Sequence, residues 1–389
     1  LERFGDSDVA SALGRIADVS VLDSKYATVR GLDGRYISSS LNTFSLPSTD
    51  PMRRDVQLDL FPTNIVGSIQ IQKTFTPDQS ATTTGGSVKI LTKGLPDERV
   101  IKIGASAGYN FETTGSDVVT YHGSNTDWAG FDSGLRSLPS AILAATDFGR
   151  SLTICDPTLD PICTAPIDAA RMGVLFQDDW NIKTKDGVPP GGLSFALGDR
   201  FGPESNWGIY VAGNYGFTTN DRATATVTNP FENTGTYRRT RETIDLNGYV
   251  VVGYEYGAAN EILSKTSILR STDDTTRQEV ATDKEEVEIN QVLLEYVERQ
   301  LVSQSFTGHN EFDLSGETHT LDWRLAYSRT DRDEPDRRQY QYRSGSLSTT
   351  SVERRFSDLE EDSVDIGFDY VAPFAWGIGN YTEVQLGAL

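Results

Sequence analysis

The chain has 389 residues, 37% of them hydrophobic, and a formal net charge of −21. That acidic balance argues against a nucleic-acid partner, which needs a basic surface to displace counterions. No apolar run reaches the roughly eighteen residues of a membrane-spanning helix, but a membrane β-barrel stays open as a class, because it hides its apolar content in every second residue.

The chain opens on LERFGDSDVASALGRI without a signal peptide, which reads as a mature or trimmed product. Ser7 is placed to cap a helix in which Val9, Ala12, Leu13 and Ile16 form an apolar stripe. YATVRGL and ISSSLN read as strands, LFPTNIV as a short helix with Pro62 in its first turn, and GSIQIQKTF and GGSVKILTK as two further strands. The polar stretches DGRY, TFSLPSTDPMRRD and TPDQSATTT connect them, giving a small α+β domain over residues 1–94. The pair Gly85 and Gly86 marks a close approach of backbone to a neighbour.

After Pro96 the strands are longer. IKIGASAGYNFET puts Ile101, Ile103, Ala105, Ala107, Tyr109 and Phe111 on one face, and Lys102, Gly104, Ser106, Gly108 and Asn110 on the other. NWGIYVAGNYGFTT, IDLNGYVVVGYEY, LDWRLAYSR and VDIGFDYV repeat the alternation, with aromatic residues at strand ends. GPESN, GAANE, DLSGETHT and PFAWGIGN read as short turns, and 113–179, 222–241, 274–286 and 333–351 as long polar loops. Short turns at one rim and long loops at the other are the habit of an outer-membrane barrel. The spacing predicts about nine strands over residues 95–389.

Cys155 and Cys163, in CDPTLDPIC, suit a disulfide that staples a local loop in an oxidising compartment, with two free thiols as the alternative. His122, His309 and His319 show no ligand spacing, so neither a metal site nor a cofactor is expected. Asp365 with Asp369, or Asp331 with Asp333 and Glu334, could be put forward as an acid/base pair or a calcium site, but no motif orients them. GGSVKILTK lacks the GxxxxGK[ST] pattern of a phosphate loop. No enzyme is expected. Arg337, Arg338, Tyr340 and Tyr342 offer guanidinium and ring faces for a ligand or, equally, ordinary strand-end solvation.

Taken in order, DSDVASALGRIADVSV, VRGLDGRYISSSLN, RRDVQLDLFPTNIVGSIQIQK and GGSVKILTK, followed by DWAGFDSGLRSLP, LSFALGDRFG, LEYVERQL and YSRTDRDEPDRRQYQYR, resemble the TonB-dependent outer-membrane transporters of Gram-negative bacteria. The resemblance implies a plug domain (1–94) in the lumen of a 22-stranded antiparallel barrel whose first part is 95–389. It also implies uptake of a bulky solute such as a siderophore or carbohydrate, energised by TonB and its inner-membrane complex. The family's TonB box, which precedes the plug helix, is missing here. Nine strands tilted by about 40° would close to a backbone diameter of about 18 Å. A compact domain of this plug's size is roughly 30 Å across, so the chain reads as the N-terminal part of a longer barrel. In that reading Ile101, Ile103, Tyr109 and Phe111 face lipid, while Lys102, Ser106 and Asn110 face the plug and a wet lumen.

The family's ligand-facing plug loops map onto Leu32 to Tyr36, Thr43 to Pro47 and Pro77 to Thr83, with Arg35, Tyr36, Phe44 and Gln79 as substrate-contact candidates. Arg30 and Gly31, Gly85 and Gly86 are read as plug–barrel contacts. A guanidinium buried at that interface needs a carboxylate, for which Glu295 and Glu298 are the expected partners. A weakly hydrophobic plug held by polar contacts to a polar wall could be rearranged without exposing a large apolar core.

The segment 113–179 is far longer than a hairpin needs and holds a helix at PSAILAATDF, the cysteine pair, Trp128 and Phe131. The expectation is a disulfide-braced extracellular lid over the pore mouth. A passive porin or adhesin, and a secreted β-rich binding module, are the alternative functions. The acidic balance mildly disfavours a strongly anionic ligand, the local sign above the plug being open.

Overall fold

In the computed structural model, residues 8–32, 34–53, 55–74, 85–146, 158, 166–176, 178–228, 234–282, 285–314, 316–375 and 381–388 are described. The first domain begins with α1 (Val9–Leu13), capped by Asp8, whose side chain accepts from the Ser11 N–H at 2.8 Å. A hairpin of β1 (Val19–Leu22) and β2 (Tyr26–Val29) follows. The four-stranded sheet beside it runs β4-β3-β6-β5, from β3 (Ile37–Leu41), β4 (Phe44–Ser45), β5 (Val66–Gln72) and β6 (Gly86–Thr92). LFPTNIV is not a helix. A 3-10 turn spans Leu58–Leu60, and Pro62 lies past its end in the turn leading to β5.

Gly85 and Gly86 do make a close approach, but to the chain of the first domain itself, the plug of the expected architecture. A Cβ on Gly85 would lie 2.9 Å from the Tyr36 carbonyl oxygen, and Gly86 has φ +143 beside the Gln72 carbonyl. The nearest neighbours of both are within the first domain, where the expected contact was with the wall.

The second part is a wide antiparallel meander. Its strands are β7 (Val100–Ala107), β10 (Gly191–Phe201), β11 (Trp207–Thr228), β12 (Thr234–Tyr256), β13 (Asn260–Thr282), β14 (Glu288–Leu314), β15 (Glu317–Arg343), β17 (Glu353–Ala375) and β18 (Tyr381–Ala388). They lie in chain order, with the two-residue β16 (Ser346–Leu347) beside β15. Between β7 and β10 the chain makes an excursion, closed at its base by β8 (Asp117–Thr120) pairing with β9 (Lys183–Asp186) and carrying α2 (Ser140–Ala145) and α3 (Pro166–Gly173). The chain is therefore mainly β, with a small α+β domain against one face of a large antiparallel sheet.

Much of 222–241, 274–286 and 333–351, expected as loops, is strand. β11 and β12 pair as far as Thr228 and Thr234, β13 and β14 as far as Thr282 and Glu288. In these outer halves neither face is consistently apolar, so the alternation disappears, while Thr, Val, Tyr and the ladder hydrogen bonds keep the strand.

The two faces of the sheet differ. Away from the plug, Ile101, Leu197, Val211 and Val250 stand in one cross-strand row, and Phe306, Leu325 and Ile366 in another. This belt meets the surroundings directly: Ile103 is 84% exposed and Ile366 66%. Rings edge it at the short-turn rim. Trp207 and Tyr254 stand 4.7 Å apart between centroids, and Phe312, His319 and Tyr370 stack in sequence. No helix among the described residues is long and apolar enough to cross a membrane.

Candidate functional site: the plug–wall interface and the face above it

The plug is held by side chains from β11, β12, β13, β15 and β17. Lys25, in the β1–β2 turn, places Nζ 2.9 Å from Asp273 Oδ2 on β13 and 3.7 Å from Asp59 of the plug. Asp273 also accepts from Arg299 at 2.8 Å and from the Thr243 hydroxyl at 2.8 Å. Farther round, the Ser48 N–H donates to Glu361 at 3.2 Å, and the Thr330 hydroxyl donates to the Ser48 carbonyl at 3.2 Å. Tyr210 donates to the Asn64 carbonyl at 3.2 Å, and the Tyr249 hydroxyl lies 2.5 Å from the Lys93 carbonyl.

These polar contacts surround an apolar patch. The plug core of Val9, Leu13, Val29, Phe61, Ile65 and Ile90 is continuous with Ala212, Val251, Leu269 and Leu301 of the wall. The expectation of a wholly polar wall is corrected here. The plug's apolar side is completed by the sheet, so movement of the whole plug would uncover apolar surface on both parts.

Inside the plug, Tyr26 donates to Asp50 at 2.8 Å and accepts from Gln57 at 2.9 Å, while Arg53 lies over its ring and pairs with Asp55. Burial, reinforced by Asp50, pushes the Tyr26 hydroxyl above its ordinary value. Burial likewise raises the Asp59 carboxyl, against the opposing pull of Lys25.

Arg30, expected at the interface, is exposed, with φ 52 in a tight turn beside Gly31 at φ 75. Lys25, five residues earlier, makes the contact instead. Glu295 and Glu298 are three apart on β14, an odd spacing that sends them to opposite faces. Glu295 is on the plug side, 3.6 Å from Arg337, and Glu298 is on the other, 2.5 Å from Arg270. Of the plug-loop candidates, Arg35 and Tyr36 are exposed on the 3-10 turn Gly34–Tyr36, and Phe44 is buried at 3% exposure. Gln79 lies outside the described residues, as do Cys155 and Cys163.

Among the described residues, the excursion between β7 and β10 does not cover the plug. Its described parts lie on the opposite face of the sheet, where Gly130 accepts from Arg270 and Thr272, the Asp132 N–H donates to Glu298, and Trp180 accepts from Tyr340. At its centre Arg136, 1% exposed, sits over Tyr296 and Tyr121 and pairs with Asp127, Asp132 and Asp274. Asp273 and Asp274 thus serve different structures by simple alternation, one holding the plug and the other the excursion. In its described residues, the expected lid over the pore mouth is a brace on the face of the sheet away from the plug. Arg337 and Arg338 divide in the same way: Arg338 is buried against Asp336 and the Asp179 carbonyl on the brace side.

The carboxylates weighed as acid/base or calcium groups are largely taken by arginines: Asp369 by Arg324, Asp331 by Arg329, and Glu334 by Arg332. Among the described residues no cluster of His, Cys, Asp and Glu is arranged to hold a metal ion.

No family model matches the sequence, and no curated protein does. Solved structures with a similar course include BauA, the ferric preacinetobactin receptor from Acinetobacter baumannii (10% identity, TM-score 0.38, 99% of this chain and 58% of that one). The ferric citrate transporter FecA in its unliganded form gives 10% identity, a TM-score of 0.39 and 57% of its length. The outer membrane transporter YddB from Escherichia coli gives 9% identity, a TM-score of 0.31 and 54%. The chain therefore spans less than two thirds of each. Identities of about one in ten leave function to be read from this chain's own geometry.

Proposed function

We propose that the chain is the plug and first part of the wall of a TonB-dependent outer-membrane transporter that takes up a bulky solute. The observation that carries this is the inverted sheet: an exposed apolar belt with an aromatic rim lies on the face away from the plug, and the other face holds a folded domain. A soluble protein would bury that belt. A membrane barrel turns it to lipid.

The sheet closes, in this reading, with further strands into a barrel around the plug. TonB engages the periplasmic side, and force transmitted to the plug breaks the Lys25–Asp273 and Ser48–Glu361 contacts to open a path along the wall. The protein sits in the outer membrane of a Gram-negative cell and catalyses no reaction. Solute accumulation by cells carrying the whole protein tests this: uptake that stops when TonB is deleted supports it, and uptake indifferent to TonB supports the passive porin instead. Recovery in the detergent-free soluble fraction would support a secreted module.

A further inference from the structure

Although the chain is strongly acidic, one stretch of the plug-facing side is basic. Arg222 on β11, Arg239 on β12 and Arg277 on β13 are direct cross-strand partners, so three guanidiniums stand in one row. Arg241 is two residues along on the same face, opposite Thr275. The row Thr243–Asp273, where Lys25 is held, comes next. The arginines therefore lie just beyond the plug, towards the hairpins of the long strands. Like charges placed directly opposite one another destabilise a sheet.

Little offsets them. Arg277 pairs with Glu279 at 2.6 Å and lies over the Tyr237 ring, and Arg222 reaches the Tyr237 hydroxyl at 3.5 Å. Arg239 makes no ion pair among the described residues, and Arg222, Arg241 and Arg277 all bear on it electrostatically. The Arg241 Nε is buried without a hydrogen-bond partner. Arg222 is exposed, but Arg239 and Arg241 are half-buried without an ion pair among the described residues; such guanidiniums are costly unless an anion completes them, and a guanidinium fork matches carboxylate or phosphate in geometry.

We propose that Arg222, Arg239, Arg241 and Arg277 form an anion-binding lining above the plug, and that the transported solute carries two or more carboxylate or phosphate groups. This rests on the transporter reading, since it takes the plug side as the solute's path, and it replaces the expectation that an acidic chain disfavours an anionic ligand. The local sign differs from the global one because the wall's two faces and two ends carry different charges.

The test uses the whole protein, purified from membranes in detergent and titrated calorimetrically with citrate, and with trimethyl citrate as an uncharged control. Citrate should bind and the ester should not, and binding should weaken steadily as salt rises from about 50 to about 500 mM. R239Q/R241Q should lower the citrate affinity by at least about tenfold, and R239K/R241K should retain most of it. Equal binding of ester and citrate, or a citrate affinity unchanged in R239Q/R241Q, would overturn the site; the wild-type arms hold even if that variant does not fold. TonB-driven uptake that persists beside an unchanged citrate affinity removes the arginine site and leaves the transporter. Selective citrate binding without energised uptake removes the transporter and leaves the site.

Discussion

Lys25 Nζ of the plug lies 2.9 Å from Asp273 Oδ2 of the wall, and Arg299 approaches the same carboxylate. The two cations share one buried anion, so removing different members has different consequences. Lys25→Ala leaves Asp273 paired with Arg299, and should cost about 1–3 kcal/mol of plug attachment. Asp273→Asn leaves Arg299 without its paired carboxylate and Lys25 with only the more distant Asp59, and should cost about 3–5 kcal/mol. Entry of a bulky antibiotic into cells carrying each variant reads this out: leak should rise in the order wild type, Lys25→Ala, Asp273→Asn, and equal leak would remove the latch.

Arg136 anchors the excursion on the other face. Its replacement by Ala strips a buried charge from Asp127, Asp132 and Asp274, and should destabilise the 113–187 region by about 3–5 kcal/mol. Limited proteolysis should cut that region sooner in Arg136→Ala while the Lys25 latch, and hence antibiotic exclusion, stays as in wild type. Simultaneous loss of both would show that brace and plug are one unit.

Tyr26 gives a pH dependence whose sign follows from its raised value. The neutral hydroxyl is favoured in the folded plug by burial and Asp50, so the folded state holds its proton more tightly than the unfolded state. Its contribution to stability is complete below the ordinary tyrosine value of 10.0 and is lost as pH rises above it. Thermal melts of the whole protein should therefore fall between pH 10 and 12 more steeply in wild type than in Tyr26→Phe. Parallel curves would contradict the assignment.

A substitution on the belt should act on insertion and not on the plug. Ile103→Lys should cost up to about 2–4 kcal/mol in folding into bilayers, whereas Ser106→Lys, on the plug-facing side, should cost much less. Equilibrium folding into lipid vesicles compares the two directly.

The alternation that separates Ile101 and Ile103 from Lys102 and Ser106 was legible in the sequence, because a period of two needs only local information. Four of the plug's strands, β2, β3, β5 and β6, are legible for the same reason, whereas the short β1 and the two-residue β4, inside a stretch that reads as a polar loop, are not. What was hidden is non-local. Lys25 carries no motif, and its partner is 248 residues away. Glu298 looked as eligible as Glu295, until strand parity sent it to the other face. The outer ends of β11, β12, β13 and β15 read as loops because neither face is consistently apolar there. The excursion's place outside the sheet depends on Arg136, Tyr296 and Asp274, residues that meet only in three dimensions. The arginine row needs the register of three strands, which no single stretch of sequence contains.

The most direct measurement of the central claim is which face of the sheet meets lipid. Single cysteines at Ile103, Ile366, Ser106 and Asp369, labelled with a small fluorophore in the whole protein refolded into bilayers, can be quenched by lipids brominated on their acyl chains. Strong quenching at 103 and 366 with little at 106 and 369 is the expected result. Quenching that is equal at all four positions, or stronger at 106 and 369, would contradict the membrane wall and the transporter built on it.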